Sequence, residues 1–271
     1  MDIVDRILAI DGVADAGACP YGALEAHMSE AQRAGARRLL AAPRTVLCAL
    51  FPYYSPPRPG NISLYARGRD YHDVIHEALA PLCAALAKEH PGHRFLILAD
   101  DSPLPEVTAG ALAGLGKIGK NGLLLHPKWG SFLFLGTILT DLDLGAAAHD
   151  PLPCPDCGAC ARACPVGLDK SRCLSGLTQK GGELTEEEAA LVRAHPLVWG
   201  CDLCQLACPL NRNLPDGNPV FTADPIDALS PGDLDGLTRR QFGEKYAGRA
   251  FTWKGPRPIL RNLRLKEEKP R

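Results

Sequence analysis

Eight of the eleven cysteines fall between Cys154 and Cys208, and their spacing is the strongest chemical signal in the chain. The first run is Cys154-x2-Cys157-x2-Cys160-x3-Cys164-Pro165. Three thiolates at x2 spacing can cap three irons of a cubane, while a fourth, set off by three residues, points toward a second cluster. The second run, Cys201-x2-Cys204-x3-Cys208-Pro209, supplies only three cysteines. Two [4Fe–4S] clusters need eight thiolates, and Cys173 is the one cysteine left in this stretch. The spacing therefore predicts crossed ligation. Cys154, Cys157, Cys160 and Cys208 would hold one cluster; Cys164, Cys173, Cys201 and Cys204 would hold the other.

Two structural zincs, each on four cysteines, are the other use of such pairs. Zinc modules rarely combine three cysteines at x2 spacing with an x3-Cys-Pro ending, so iron is the better reading. Cys19, Cys48 and Cys83 are scattered. Cys48 lies in an apolar run and Cys83 on an apolar helix stripe, where a thiol behaves as a small hydrophobe.

Other chemistry is weaker when read residue by residue. Asp100 follows an apolar run, and strand ends are where α/β folds place catalytic groups. A turn residue or a helix cap would look the same. Gly114 to Asn121 could cradle a phosphate but fits neither the Walker nor the dinucleotide pattern. Arg67, Arg69, Asp70, Tyr71 and His72 form a polar cluster at a helix start, which capping and surface charge also explain.

These groups need elements to position them, and the chain reads as three zones. In residues 1–145, Thr45 to Phe51 is a buried strand, stopped by the Pro56-Pro57-Arg58-Pro59-Gly60 loop. From Tyr71, the stripe Val74, Ile75, Ala78, Leu79, Leu82, Cys83 and Leu86 predicts an amphipathic helix. Arg94 to Ala99, Leu123 to Leu125 and Phe132 to Leu139 predict further strands, giving an α+β or α/β core. Residues 146–212 form the cysteine module, with a helix opened by the capping box Thr185-Glu186-Glu187-Glu188. Residues 213–271 are loop-rich, with one helix expected from Ser230-Pro231 to Tyr246.

Thirty basic residues against 31 acidic ones leave a net charge of -1 over 271 residues. That balance excludes nucleic-acid binding by bulk charge alone. With 46% hydrophobic and 23% charged residues, the chain is not disordered. Acids at Asp2 and Asp5 stand where a signal peptide would be basic, and no run approaches the ~20 apolar residues of a membrane span. A cytoplasmic protein without membrane contact is expected. In that reducing compartment a cysteine cluster holds metal rather than disulfides.

Taken together, the segments resemble the epoxyqueuosine reductase family, cobalamin-dependent iron–sulfur enzymes of queuosine-tRNA biosynthesis. The likeness rests on residues 62–72 (Ile-Ser-Leu-Tyr-Ala-Arg-Gly-Arg-Asp-Tyr-His), 100–106, 114–121 and 130–141, on the Cys154–Pro165 run, and on Arg172-Cys173-Leu174-Ser175 and Gly200 to Gln205. It implies a cobalamin-binding α+β core carrying a ferredoxin-like double [4Fe–4S] module. It also implies an oxidoreductase that removes an epoxide oxygen, with electrons passing from an external donor of ferredoxin or flavodoxin type through the clusters to cobalt. The Asp that opens the family's Asp-x-x-Pro-x-x-Glu segment is its proton donor. That position is Asp100, with Pro103 and Glu106 in register, rather than Asp101. Asp100 is expected to be buried at the site, and Arg67, Tyr71, Lys120 and Ser131 are the expected cobalamin contacts.

The resemblance runs to about Asn262. Longer members continue into a C-terminal helical-repeat domain that helps hold tRNA. A short form without that domain is expected to bind tRNA more weakly, as a monomer. Two alternatives stand beside this reading: an electron-transfer or corrinoid-reactivating protein, and a reductase of a smaller electrophile without a tRNA substrate.

Overall fold

The computed structural model describes residues 2–267. Its central sheet has four strands: β1 (Asp15–Pro20), β2 (Thr45–Pro52), β3 (Phe95–Leu98) and, after a two-stranded ladder of β4 (Lys117–Ile118) and β5 (Leu124–Leu125), β6 (Leu133–Thr140). The spatial order is β1-β2-β6-β3 and every neighbouring pair is antiparallel. The core is therefore α+β.

All eight residues of β2 are buried, as a strand covered on both faces requires. On one face Val46, Cys48 and Leu50 join Leu24, Leu40, Ala109 and Leu112 in a common cluster. On the other face lies the helix Tyr71–Glu89, which buries Val74, Ile75, Leu79, Leu82, Cys83 and Leu86. The apolar stripe read from sequence is thus the buried one, apart from half-buried Ala78. Gly136 of β6 lets this helix come close, since a Cβ there would stand 2.7 Å from Cγ2 of Ile75.

The chain forms two compact units. One comprises Met1–Tyr53, Tyr71–Cys157 and Leu210–Asn218; the other comprises Tyr54–Asp70, Gly158–Pro209 and Pro219–Arg271. These units cut across the three consecutive zones drawn from sequence. Residues 54–70 leave the first zone to pack with the cysteine helices.

The second unit is built from short helices joined by polar ties. Ile62 forms a parallel bridge with Trp199. The buried Asp202 carboxylate accepts the Ser63 hydroxyl at 2.5 Å and the Leu64 N–H at 3.0 Å. A terminal helix, Pro256–Glu267, went unread in the sequence; it packs on Leu174–Gln179 and on Glu186–Ala194. Its Asn262 is fully buried and donates to the carbonyls of Thr178 at 2.7 Å and Val198 at 2.8 Å. The capping box at Thr185 forms as expected.

The single helix expected from Ser230 to Tyr246 is instead two, Pro231–Leu234 and Arg239–Lys245. Gly236 at φ +76° breaks the first, and Thr238 caps the second through Gln241. Among the described residues no helix is long and apolar enough to cross a membrane.

Gly68 offers a test of the second unit. A Cβ there would lie 1.9 Å from the carbonyl oxygen of Phe221, and backbone cannot swing aside as a flexible side chain can. Gly68→Ala should cost about 1–3 kcal/mol of stability, the range for overpacked sites. Urea titration should show a lowered midpoint; an unchanged midpoint would mean the two segments are not packed this tightly.

Candidate active site

Strand β3 ends at Leu98, Ala99 is buried, and the chain then turns sharply. The Asp101 N–H donates to the Ala99 carbonyl at 2.7 Å, and the Ser102 N–H to the Asp100 carbonyl at 2.8 Å. The turn puts Asp100 at φ +59°. Few residues other than glycine adopt that region, and Asp is among those that do. Glu106 holds the turn from behind: its two carboxylate oxygens accept the Asp100 N–H at 3.1 and 3.0 Å. The Ser102 hydroxyl donates to Oε1 of the same group at 3.0 Å.

The Asp100 carboxylate is fixed separately. The Tyr71 hydroxyl donates to its Oδ2 at 2.6 Å. Tyr71 is itself held by its ring, which stacks on Phe134 with centroids 4.4 Å apart and planes 7° apart, and on His72 at 4.0 Å. Phe134 stacks in turn on Tyr53 at 4.3 Å. An aromatic column thus ends in a phenol aimed at one carboxylate oxygen.

One expectation needs correction. Asp100 is exposed, not buried, because the turn carries it past the strand end. The carboxyl drawn away from solvent is that of half-buried Glu106, six residues on, and desolvation pushes it up from the ordinary 4.5 to about 7. Hydrogen bonds from the Asp100 backbone and the Ser102 hydroxyl pull the other way but do not cancel the loss of solvent. Glu106 was visible only as a residue in register with a motif; nothing in its own sequence neighbourhood gives it a task.

Of the expected cobalamin contacts, Tyr71 meets Asp100. Lys120 is ion-paired to Asp156 at 2.7 Å, which ties the Gly114–Asn121 stretch to the first cysteine loop. Ser131 is buried; its N–H donates to Oδ1 of Asn211 at 2.8 Å, and Nδ2 of Asn211 donates to its hydroxyl at 2.9 Å. Arg67 is buried in the second unit. Its guanidinium donates to the carbonyls of Ile62 at 2.8 Å and Arg58 at 3.1 Å and pairs with Asp227 at 2.8 Å. That is the work of an internal clamp.

The cysteines divide by solvent. Cys19, Cys48 and Cys83 are buried, while the eight of the module are all partly or fully exposed, and none of the eleven forms a disulfide. Burial pushes the Cys201 thiol up to about 12, and the nearby thiols of Cys204 and Cys173 add to the rise. A bound cation at this position would instead favour the thiolate form. The helices Ala159–Ala163 and Leu203–Leu206, which carry Cys160 and Cys204, pack together. Among the described residues, no three ligand side chains close on a point as a single ion needs. Eight thiols that reach solvent are the donor chemistry that iron–sulfur clusters take.

The fold is that of known reductases. It superposes on epoxyqueuosine reductase from Streptococcus thermophilus with a TM-score of 0.75, at 24% identity, over 97% of this chain and 78% of that one. A crystal structure of epoxyqueuosine reductase with an epoxyqueuosine-modified tRNA stem loop matches at TM-score 0.78 and 25% identity, over 97% of this chain and 79% of that one. Residues 33–100 match the family model described as epoxyqueuosine reductase QueG, DUF1730. The epoxyqueuosine reductase of a Synechocystis species is 31% identical over 258 residues, which is 89% of either chain. That of Lactococcus garvieae is 33% identical over 216 residues, 76% of this chain and 61% of the relative. The match to the Gloeobacter violaceus enzyme, 37% identical, likewise covers 61% of the relative. The chain belongs to the epoxyqueuosine reductase family, and it spans about three fifths of the length of the last two relatives.

The desolvated Glu106 carboxyl makes stability depend on pH. Its folded value near 7 lies above the ordinary 4.5, so the unfolded chain releases this proton first as pH rises. Stability should therefore fall by about 3 kcal/mol between those two values and level off above them. Glu106→Gln should remove that slope. Parallel slopes for the two proteins in urea titrations across this window would mean the carboxyl is solvated.

Proposed function

We propose that this chain is a reductase of epoxyqueuosine in tRNA, with cobalamin and two [4Fe–4S] clusters as its cofactors. Removing the epoxide oxygen as water and leaving an alkene takes two electrons and two protons. An external one-electron donor supplies the electrons singly. When bound, the clusters would relay those electrons and the cobalamin would supply the two-electron centre.

The observation that carries this reading is the Asp100 turn. A proton donor to a leaving oxygen must be accessible to substrate yet fixed in place. Asp100 has both properties: an exposed carboxyl, one oxygen held by Tyr71, and a backbone held by Glu106. An electron carrier needs no such group. Tyr71, Lys120 and Ser131 would line the cobalamin site, and Arg67 would act through the loop it braces. Cys154, Cys157, Cys160 and Cys208 would hold one cluster, and Cys164, Cys173, Cys201 and Cys204 the other. Family membership and the likeness to the tRNA stem-loop structure support the substrate.

Anaerobically purified protein should contain about eight irons. A count near four, or stoichiometric zinc, would reject the paired clusters. Cys173→Ala should lose one cluster spectrum and keep most of the other.

Asp100→Asn should lower turnover of epoxyqueuosine-tRNA by about 10²–10⁴-fold, the usual worth of a proton donor. Its iron content should be unchanged, and Asp101→Asn should do far less. Equal rates for Asp100→Asn and the parent would remove the assignment and favour an electron-transfer protein.

A further inference from the structure

The second unit has an open groove of about 520 Å³ lined by Cys173, Lys170, Lys180, Glu188, Trp253 and Lys254, among others. Three lysines face one glutamate there, and that glutamate is taken by Lys180 at 2.7 Å. Among the described residues, Lys170 and Lys254 have no carboxylate partner. Beside the groove, Arg172 pairs with Glu187, and the Asp169 carboxylate that caps the turn Lys170–Arg172 through Ser171 adds one negative charge, short of the lysine excess. The groove is therefore net positive.

Trp253 gives it an apolar centre. Its exposure is 55%, and it is the only aromatic among the exposed large hydrophobic side chains of the described residues. This exposure does not come from a loose loop. The Arg239 guanidinium donates to the Trp253 carbonyl at 2.9 Å, and the Gly255 N–H to the Thr252 carbonyl at 2.8 Å. Lys254 places its ammonium 4.1 Å from the centre of the indole ring. A rigid exposed indole rimmed by cations has the make-up of an interaction anchor.

We propose that this groove is the docking face for an acidic one-electron carrier protein, the donor that the reductase reading requires. The proposal rests on that reading, which makes Cys173 a cluster ligand. Electron tunnelling weakens steeply with distance, so electrons must enter where a cluster comes nearest the surface. Two of the eight cysteines, Cys157 and Cys173, are exposed. Cys157 follows Asp156, whose charge is paired with Lys120. Cys173 instead opens on a cationic groove with an aromatic anchor. Redox encounters are small and brief, and complementary charge governs how fast they form. Nucleic acid would also tolerate lysines around a tryptophan, but laid over Cys173 it would seal the point of entry.

The test is binding of oxidised flavodoxin, an acidic carrier, and separately of an acidic ferredoxin, to the full chain at low and physiological salt. Lys170→Glu with Lys254→Glu should slow association by about tenfold or more at low salt, within the range for lost steering. Trp253→Ala should shorten the lifetime of the complex. Lys170→Arg with Lys254→Arg keeps the charge and should bind like the parent. The same association rate in the charge-reversed protein, or no binding of either carrier by the parent, would overturn the docking face. So would charge reversal that weakens an epoxyqueuosine-modified tRNA stem loop and leaves the carriers unaffected. An iron count decides the cluster reading independently: eight irons without charge-dependent binding sinks the docking face alone.

Discussion

The ladder between β2 and β6 is the constraint from which the first unit follows. Eight residues pair in register, from Thr45 opposite Thr140 to Pro52 opposite Leu133. That pairing fixes β6, and β6 then sets two things at once. Its outer edge pairs with β3, Leu98 opposite Thr137, which decides where the chain leaves the sheet for the Asp100 turn. Its Gly136 admits the helix that begins at Tyr71, while Phe134 supplies the ring on which Tyr71 stacks. The phenol and the carboxylate it meets thus reach one another through a common strand. A one-residue slip in this ladder would turn Phe134 to the opposite face and take Tyr71 with it.

What could be read in the sequence was whatever is encoded locally. The cysteine runs, the apolar stripe after Tyr71 and the capping box at Thr185 each depend on residues a few positions apart, and so does the continuous apolar strand at Thr45. The misplaced features depend on distant partners. Arg67 reads as a surface charge until Asp227 arrives from 160 positions away. Asn262 has no visible role until Thr178 and Val198 present their carbonyls. The desolvation of Glu106 follows from the packing of the helix it begins, so the motif marked its position but not its state. The break at Gly236 was legible in principle, since glycine followed by a Thr-x-x-Gln cap marks a stop and a restart.

In the second unit Asp202 plays a part like that of Glu106 in the first. A buried carboxylate between two cysteines would be costly if unpaired, and burial does push it up. Hydrogen bonds from the Ser63 hydroxyl and the Leu64 N–H offset that cost, with the Arg67 charge nearby. The loop carrying Cys201 and Cys204 is thereby tied to a segment from another part of the chain. In both units a carboxyl drawn away from solvent holds a backbone segment in place through its N–H groups.

The division of cysteines by solvent has a consequence for the life of the protein. Burial alone pushes Cys19 up to about 12 and Cys83 up to about 11 and, with the neighbouring Cys19 and Glu106 charges, carries Cys48 well above the usual thiol range. Unlike Cys201, which reaches solvent, these three thiols are both protonated and shielded from ions and peroxide. On the proposed cluster reading, metal delivery would meet eight sulfurs that reach solvent and no competing thiol in the core. Oxidant would likewise reach the module's thiols first and spare Cys19, Cys48 and Cys83. On that reading, loss of clusters to air and unfolding of the first unit's sheet would be separate events.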